Sequence, residues 1–468
     1  MEKFELNKVI LDMKGGSDKE AAALKEKILN AKDELVITGK KYHISNNGDD
    51  NNDGLTPETA WATFDKFHAV KDTLEPGDAL LMERGSTWRV YKDLPMLTGV
   101  AYGAYGQGPK PCLMGSDRNY ANPEFWHKTA TKNVWYCEYP RDARAVGNIV
   151  FNLNQYVGWK CRGKDKIAKD LDFYDDRIGK TVYLYFSEGN PGEYFDDIEF
   201  CLRFTFISCW DDKTHDVRID NLCVKYNSGG CFATATGGNY NISITNCEIS
   251  FMGGDFLGED VATTPRGGNG IGMWADQKNI FIKNNWIYHG YDAGISPQGS
   301  PYMINEDMQV IDNLIEYCTW SYEAWVGSNY GKFIRHIFKG NIMRFAGYGW
   351  AATQRPAPQW TSHYNGFPKH QADCWVDCLY EDNILDISSW YLVAWNWTDG
   401  PKEHPGFKVR NNTYYQKEND NHRAMKYGFH EIYAGAIKTA YCQADLEEAV
   451  KCFDPEPKLV KWFPKEYK

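Results

Sequence analysis

Asp292 and Glu323 are the side chains of this sequence best suited to acid–base chemistry, and each lies in a short apolar run that could place it in a strand. Sliding Asp292-Ala293-Gly294-Ile295 onto Glu323-Ala324-Trp325-Val326, with Asn269-Gly270-Ile271-Gly272 beside them, stands Asn269, Asp292 and Glu323 in one column. Parallel strands stack about 4.8 Å apart, so the two carboxyl groups are expected roughly 5 to 6 Å from each other. That is near the separation of about 5 to 5.5 Å used by retaining glycoside-cleaving pairs. Two carboxylates so close repel, which raises one pKa and keeps that group protonated as a general acid. One carboxyl would then protonate a leaving oxygen while the other attacks the anomeric carbon or stabilises its charge. The competing reading is an acidic ladder neutralised by Arg266, Arg335 or Arg355. Glu316, in Asn313-Leu314-Ile315-Glu316-Tyr317-Cys318, is a third catalytic candidate, with a buried structural role as its alternative.

Two long runs would wall a cleft around these acids. The first, 255–268, carries Asp255, Glu259, Asp260 and Arg266; the second, 354–373, carries Arg355, Trp360, His363, His370 and Asp373. Asp255, Glu259, Arg266, Asn269, His289, Arg355 and His363 are candidates for holding substrate hydroxyls. Trp274, Trp325, Trp350 and Trp360, with Trp375 and Trp395 nearby, could stack on the apolar face of a sugar ring or fill a core instead. His289 and His363 could also move protons, though a satisfied structural histidine is the alternative for each.

The elements that must position these residues show a period. Strand-like runs ending on asparagine recur at Asn221, Asn246, Asn285, Asn313, Asn341, Asn383 and Asn412, spaced by 25, 39, 28, 28, 42 and 29 residues. A base period of 25 to 29 with two expanded coils is the mark of a solenoid with inserted loops. Extra residues in such a coil emerge as loops, so both expansions should project from one angular position. Asparagine suits a corner because it tolerates left-handed backbone and its amide can bond to the equivalent residue one coil along. We therefore assign Asn221, Asn246, Asn285, Asn313, Asn341 and Asn383 to structure rather than to catalysis.

Near the N-terminus, Ser17 with Glu20 reads as a capping box before the helical run Ala21–Leu29, and this helix could cover the open end of the solenoid. The stretch YHISNNGDDNNDGLTPETAW from Tyr42 to Trp61 follows, then the strand opening Pro76-Gly77-Asp78 and the turn Tyr102-Gly103-Ala104-Tyr105-Gly106 ahead of Lys110-Pro111. Together these resemble the N-terminal coils of pectate-lyase-like proteins, which implies an all-β, right-handed parallel β-helix. That opening is shared by hydrolases, lyases and epimerases, so it implies no one chemistry. Asp49, Asp50 and Asp53 could form a calcium loop, but an Asn/Asp/Gly turn needs no ion. The stretches around Asp292, Glu316 and Gly347-Tyr348-Gly349-Trp350 resemble bacterial β-helix glycoside hydrolases, which supports the Asp292 and Glu323 segments as site elements. A polygalacturonase-like carboxylate trio is not found.

The layout expected is one domain over 1–468: an N-terminal cap (1–40), N-terminal coils with insertions (41–215), regular coils carrying the working face (216–415) and a C-terminal cap (416–468). A formal net charge of −11 argues against nucleic acid as a partner. Apolar runs such as Trp390–Trp397 are too short to span a bilayer, and the first residues lack an apolar signal core, so a cytoplasmic location is expected. Thirteen scattered cysteines without CxxC pairs suggest reduced, mostly buried thiols, with neither a metal nor a cofactor. The function these readings support is hydrolysis of oligosaccharides or glycosides by a carboxylate pair. A polysaccharide lyase or uronate epimerase using Arg266, Arg355, His289 or His363 is the alternative, and a non-catalytic carbohydrate-binding β-helix is a third class. The oligomeric state is not legible.

Overall fold

A computed structural model describes residues 4–90, 92–202, 204–211, 213–299, 302–326, 331–355, 361–368, 374–395, 406–419, 423–427 and 437–467. Short strands pair one coil to the next in parallel, making three sheets that run the length of a right-handed parallel β-helix. The first sheet runs from Lys41–Ile44 to Phe407–Arg410, the second from Leu94–Pro95 to Arg423–Tyr427 with Ile437–Thr439 added antiparallel at its end, and the third from Thr87–Arg89 to Leu459–Phe463.

Alternation along each strand builds the core. Ile219, Ile244, Ile282, Val310, Phe338 and Tyr380 stack in register in the first sheet. Val224, Ile249, Ile287, Ile315, Met343, Leu385 and Tyr414 do so in the third. In the second sheet the column is Ile207, Phe232, Ile271, Ile295, Tyr322, Tyr364 and Val393. A period of two puts these side chains inside and their neighbours outside. All these residues belong to one buried apolar cluster, and the thirteen cysteines are free thiols, ten of them buried.

The asparagine corner divides its two tasks between adjacent columns. Left-handed backbone, with φ from 54° to 67°, falls on Asn221, Asn246, Asn284, Asp312, Gly340, Asp382 and Asn411. The amide ladder stands one residue later: Asn285 Nδ2 donates to Asn313 Oδ1 at 3.0 Å, Asn313 to Asn341 at 2.9 Å, Asn341 to Asn383 at 3.1 Å and Asn383 to Asn412 at 3.0 Å. Asn221 and Asn246 thus belong to the left-handed column, not the ladder. A second left-handed column, unread in the sequence, comprises Tyr226, Phe251, His289, Tyr317, Phe345 and Ile387, with φ from 51° to 64°. Bulky residues rarely adopt this backbone. Here four of the rings stack coil on coil behind His289, whose ring lies 5.0 Å from Phe251 and 4.8 Å from Tyr317.

The N-terminal helix forms at Asp18–Leu29, but Ser17 makes no side-chain cap. Its hydroxyl donates instead to Asp386 Oδ2 at 2.5 Å. The helix also lies elsewhere than expected: Ala21 and Ile28 pack on Trp286, Leu314 and Ile342, the outer face of the third sheet. The first coils are packed by a helix not read from sequence, Phe64–Val70, whose Phe64 and Phe67 join the core with Trp61. The helix Gln443–Lys451 adds Leu446, Ala449 and Val450 to the same core near the C-terminus. In the opening loop, Asp50 accepts from the backbone of Ala62 and Thr63 and from the Thr63 hydroxyl, and Asp53 accepts from Leu55 and Thr59, so these carboxylates close turns. Gly54 adopts φ of 76° against the Trp61 indole, where any Cβ would collide.

Insertions leave one corner, between the third and second sheets. They span 115–206, 253–270 and 347–361. The first contains antiparallel strands from His127–Lys128 to Ile198–Leu202 and lies against the other two. Gln354 joins all three: its Oε1 accepts from Arg266 Nη1 at 2.9 Å and its Nε2 donates to the Gly158 carbonyl at 2.7 Å.

Candidate functional site

The expected column of Asp292 and Glu323 is not what the second sheet builds. Ile295 pairs with Tyr322, which sets Ser296 beside Glu323 and leaves Asp292 four residues upstream of that rung. The proposed slide used an offset of 31 residues, whereas this coil measures 27 in the second sheet. Asn269 is likewise displaced by one: it stands opposite Ala293 and its Oδ1 accepts the Ala293 N–H at 3.0 Å. The spacing argument for a retaining pair falls with this register.

The two acids are nevertheless close enough for the charge of Asp292 to act on Glu323. Glu323 points outward, in the column Gly272, Ser296, Glu323, Asn365, Ala394. Its Oε2 accepts from Gln298 Nε2 at 2.6 Å and Ser296 Oγ at 3.0 Å, and Asn365 Nδ2 approaches Oε1 at 3.5 Å. Although outward, Glu323 is only 7% exposed. Burial, and next the Asp292 charge, push its carboxyl up to about 8, against smaller opposing effects of Ser296, Arg355 and Gln298. Asp292 sits at the insertion corner just before its strand, its side chain 17% exposed. Burial pushes the Asp292 carboxyl upward, and Arg355, 2.5 Å away, works against that rise. The Arg355 guanidinium in turn lies over the Trp320 ring at 4.6 Å and the Tyr291 ring at 4.7 Å. Burial and the Asp292 charge thus favour the protonated form of Glu323, while Arg355 favours the charged form of Asp292, a division of labour suited to cleaving a glycosidic bond.

Aromatic surface flanks this pair. Trp325 lies two residues past Glu323 on the same side of the strand, and it stacks on Trp274 with centroids 6.3 Å apart. Trp274 is 41% exposed, which leaves one indole face to solvent. Ser296, Gln298, Asn365 and Trp320 were not singled out in the sequence. Aligning the inward column Ile271, Ile295, Tyr322 and Tyr364 instead of the acids would have found the first three.

Other candidates lie elsewhere. Glu316 is on the outer face of the third sheet, accepting from Trp286 Nε1 at 2.9 Å and paired with Arg344 at 3.0 Å beneath the N-terminal segment, so it is not part of the carboxylate pair. His289 is fully buried within its ring stack, and His363 is fully buried with Nδ1 3.0 Å from the Ser321 hydroxyl. Burial lowers both imidazoles to about 3. Trp350 is buried, its indole N–H spent on the His289 carbonyl at 2.9 Å. Trp375 is buried on Phe333. None of these four can reach a substrate.

Asp255 and Arg266 brace the insertion corner. Asp255 is held by Lys160 at 2.8 Å and Arg177 at 2.6 Å, and buried Arg266 donates to the Gly254 carbonyl at 2.5 Å. Lys160 also reaches Asp175 at 3.4 Å, so the long insertion is tied to the coils by buried ion pairs, none of which the sequence revealed. Glu259 is exposed at the tip of its loop. Trp360, His370 and Asp373 lie outside the described residues, as does the side chain of Trp395. Among the described residues, no helix is long and apolar enough to cross a membrane, and no group of three His, Cys, Asp or Glu side chains could hold a metal.

No family model and no curated protein matches the sequence. Solved structures do match in shape. One described as a glycoside hydrolase aligns over 92% of this chain and 97% of its own, with a TM-score of 0.50 and 9% identity. The chain has the right-handed parallel β-helix fold. A complex of XylC with xylose aligns with this β-helix over 92% of the chain and 86% of its own, at a TM-score of 0.44 and 12% identity. A lacto-N-biosidase from Eubacterium ramulus covers 84% of the β-helix and 68% of its own chain, at 0.40 and 14%. Rhamnogalacturonan lyase and pectate lyase structures also match. At these identities the likeness is one of fold. A fold does not fix a function, so chemistry must be argued from the site.

Proposed function

We propose that this β-helix is a glycoside hydrolase acting on oligosaccharides or glycosides, with Glu323 as general acid and Asp292 as the ionised partner. The observation that carries this reading is the contrast between the two carboxyls. Glu323 is pushed up to about 8 by burial and by the Asp292 charge, while Asp292 has Arg355 beside it. Near neutrality Glu323 holds a proton to give to the leaving oxygen. Asp292, close enough for its charge to act on Glu323, supplies negative charge for the oxocarbenium-like transition state, either as nucleophile or as base for water. The stacked pair of Trp274 and Trp325 offers a ring-sized apolar surface beside the acid.

Among its described candidates, the lyase or epimerase reading finds one partly exposed cation, Arg355, and that is already paired with Asp292. It needs an accessible base and a cation for the uronate carboxylate. His289 and His363 are buried and Arg266 is spent on backbone and Gln354. A panel of aryl glycosides and uronate polymers tests the assignment. Release of the aryl alcohol, lost in Asp292→Asn and, for leaving groups that need protonation, in Glu323→Gln, is the expected result. Formation of unsaturated uronate, or release of aryl alcohol that survives both substitutions, would overturn it.

A further inference from the structure

A second cavity lies against the back of Asp292. It has a volume of about 190 Å³ and is lined by Asp93, Trp210, Ser228 and Asp255 among others, with a floor of Gly229, Gly230, Gly267 and Gly268. Continuing the second-sheet register places Gly229 and Gly268 on the two coils preceding Asp292, in its own column. A Cβ on Gly267 would come within 3.3 Å of Asp292 Oδ2, so the floor of the cavity is also the wall behind that carboxylate. Glycine on these rungs removes the side chains that would otherwise fill the space.

Two features give the cavity the character of a binding site. Trp210 is 55% exposed, yet its indole N–H is pinned to Asp93 Oδ2 at 3.0 Å. Asp93 is itself fixed by the Thr205 N–H at 3.0 Å, the Thr205 hydroxyl at 2.8 Å and Ser208 Oγ at 3.3 Å. An exposed aromatic ring whose orientation is set before any ligand arrives is a preorganised stacking surface. At the opposite extreme, Ser228 is 3% exposed and its hydroxyl has no hydrogen-bond partner among the described residues. Buried hydroxyls are seldom left so, because the lost hydrogen bond costs about 1 to 3 kcal/mol.

Resting on the hydrolase reading, we infer that this cavity binds one neutral sugar ring of the substrate, held across the glycine floor from Asp292. The Trp210 indole would stack on the ring face and Ser228 Oγ would bond a ring hydroxyl. The volume admits one ring and not a chain. Asp93, whose carboxylate accepts from neutral donors, stands on the same wall as Trp210, so a ring without its own carboxylate fits that wall better than a uronate.

Equilibrium titration of intrinsic tryptophan fluorescence with D-glucose, D-galactose, D-xylose, L-rhamnose, N-acetyl-D-glucosamine and D-glucuronate tests this directly. Running it on the wild type and on Glu323→Gln separates binding from catalysis. At least one neutral sugar should saturate both proteins. Trp210→Ala should weaken that sugar about tenfold. Gly230→Leu should abolish binding while the melting temperature holds, because a Cβ at Gly230 meets its neighbours only at 3.6 Å or beyond. Saturation of Gly230→Leu as in the wild type, a preference for glucuronate, or no binding by any of the six sugars would overturn the inference. Failure of the hydrolase reading would show separately, as sugar binding without aryl-glycoside cleavage.

Discussion

Glu323 accepts a hydrogen bond from Ser296, its neighbour one coil back, at 3.0 Å, and this rung rather than a pairing with Asp292 sets the geometry of the site. Ser296 and Gln298 both bind Oε2, fixing the carboxyl in a buried position where it feels the Asp292 charge without touching that residue.

If Glu323 donates the proton, its loss should matter most for poor leaving groups. Glu323→Gln is expected to lose on the order of a thousandfold in kcat on an alkyl or sugar glycoside, and far less on a dinitrophenyl glycoside. Asp292→Asn should lose activity on both alike. Steady-state kinetics on the two substrate types makes the comparison.

The raised carboxyl also ties stability to pH. Between about 4.5 and 8 the folded chain retains the Glu323 proton that the unfolded chain has released. The native state then binds more protons, so this group's contribution to stability is full below about 4.5 and falls as pH rises to 8. Glu323→Gln removes that dependence. Denaturant unfolding should find the variant more stable than the wild type by on the order of 2 kcal/mol at alkaline pH, with the difference shrinking in acid.

Arg355 should set the acid side of the activity profile. Arg355→Met leaves Asp292 with its burial and no cation, so the acid limb of kcat/KM should move up by about 1 to 3 pH units. Arg355→Lys should move it less, since a point charge replaces a planar group lying over the Trp320 and Tyr291 rings. Profiles of the three proteins on one aryl glycoside give the test.

The fold was legible for a physical reason. A stacked core repeats its inward residues and its corner, so Asn285, Asn313, Asn341 and Asn383 mark the period in sequence as they mark the ladder in space. What the corner could not give is the register of the sheet beyond it, because turn lengths vary between sheets while the Asn column counts only whole coils. The Asp292–Glu323 alignment failed there, by four residues. The contacts of Lys160 and Arg177 with Asp255 were hidden for another reason: they join residues about eighty to a hundred apart through an insertion with no repeat. His289 was misread because nothing in its neighbours signals that it fills one rung of a ring stack otherwise held by tyrosine and phenylalanine.

The ladder itself should be costly to break. Asn313→Ala strips the acceptor from the Asn285 backbone N–H at 3.0 Å and side chain at 3.0 Å, and the donor to Asn341. A loss of about 1 to 3 kcal/mol in unfolding free energy is expected, with the activity of the remaining folded protein retained.

The pH dependence of kcat/KM on an aryl glycoside tests the central claim most directly. Glu323 as the neutral acid requires a bell-shaped profile whose alkaline limb falls through about 8, and that limb should vanish in Glu323→Gln on a dinitrophenyl substrate. An alkaline limb that stays in place when Glu323 is replaced would contradict the assignment.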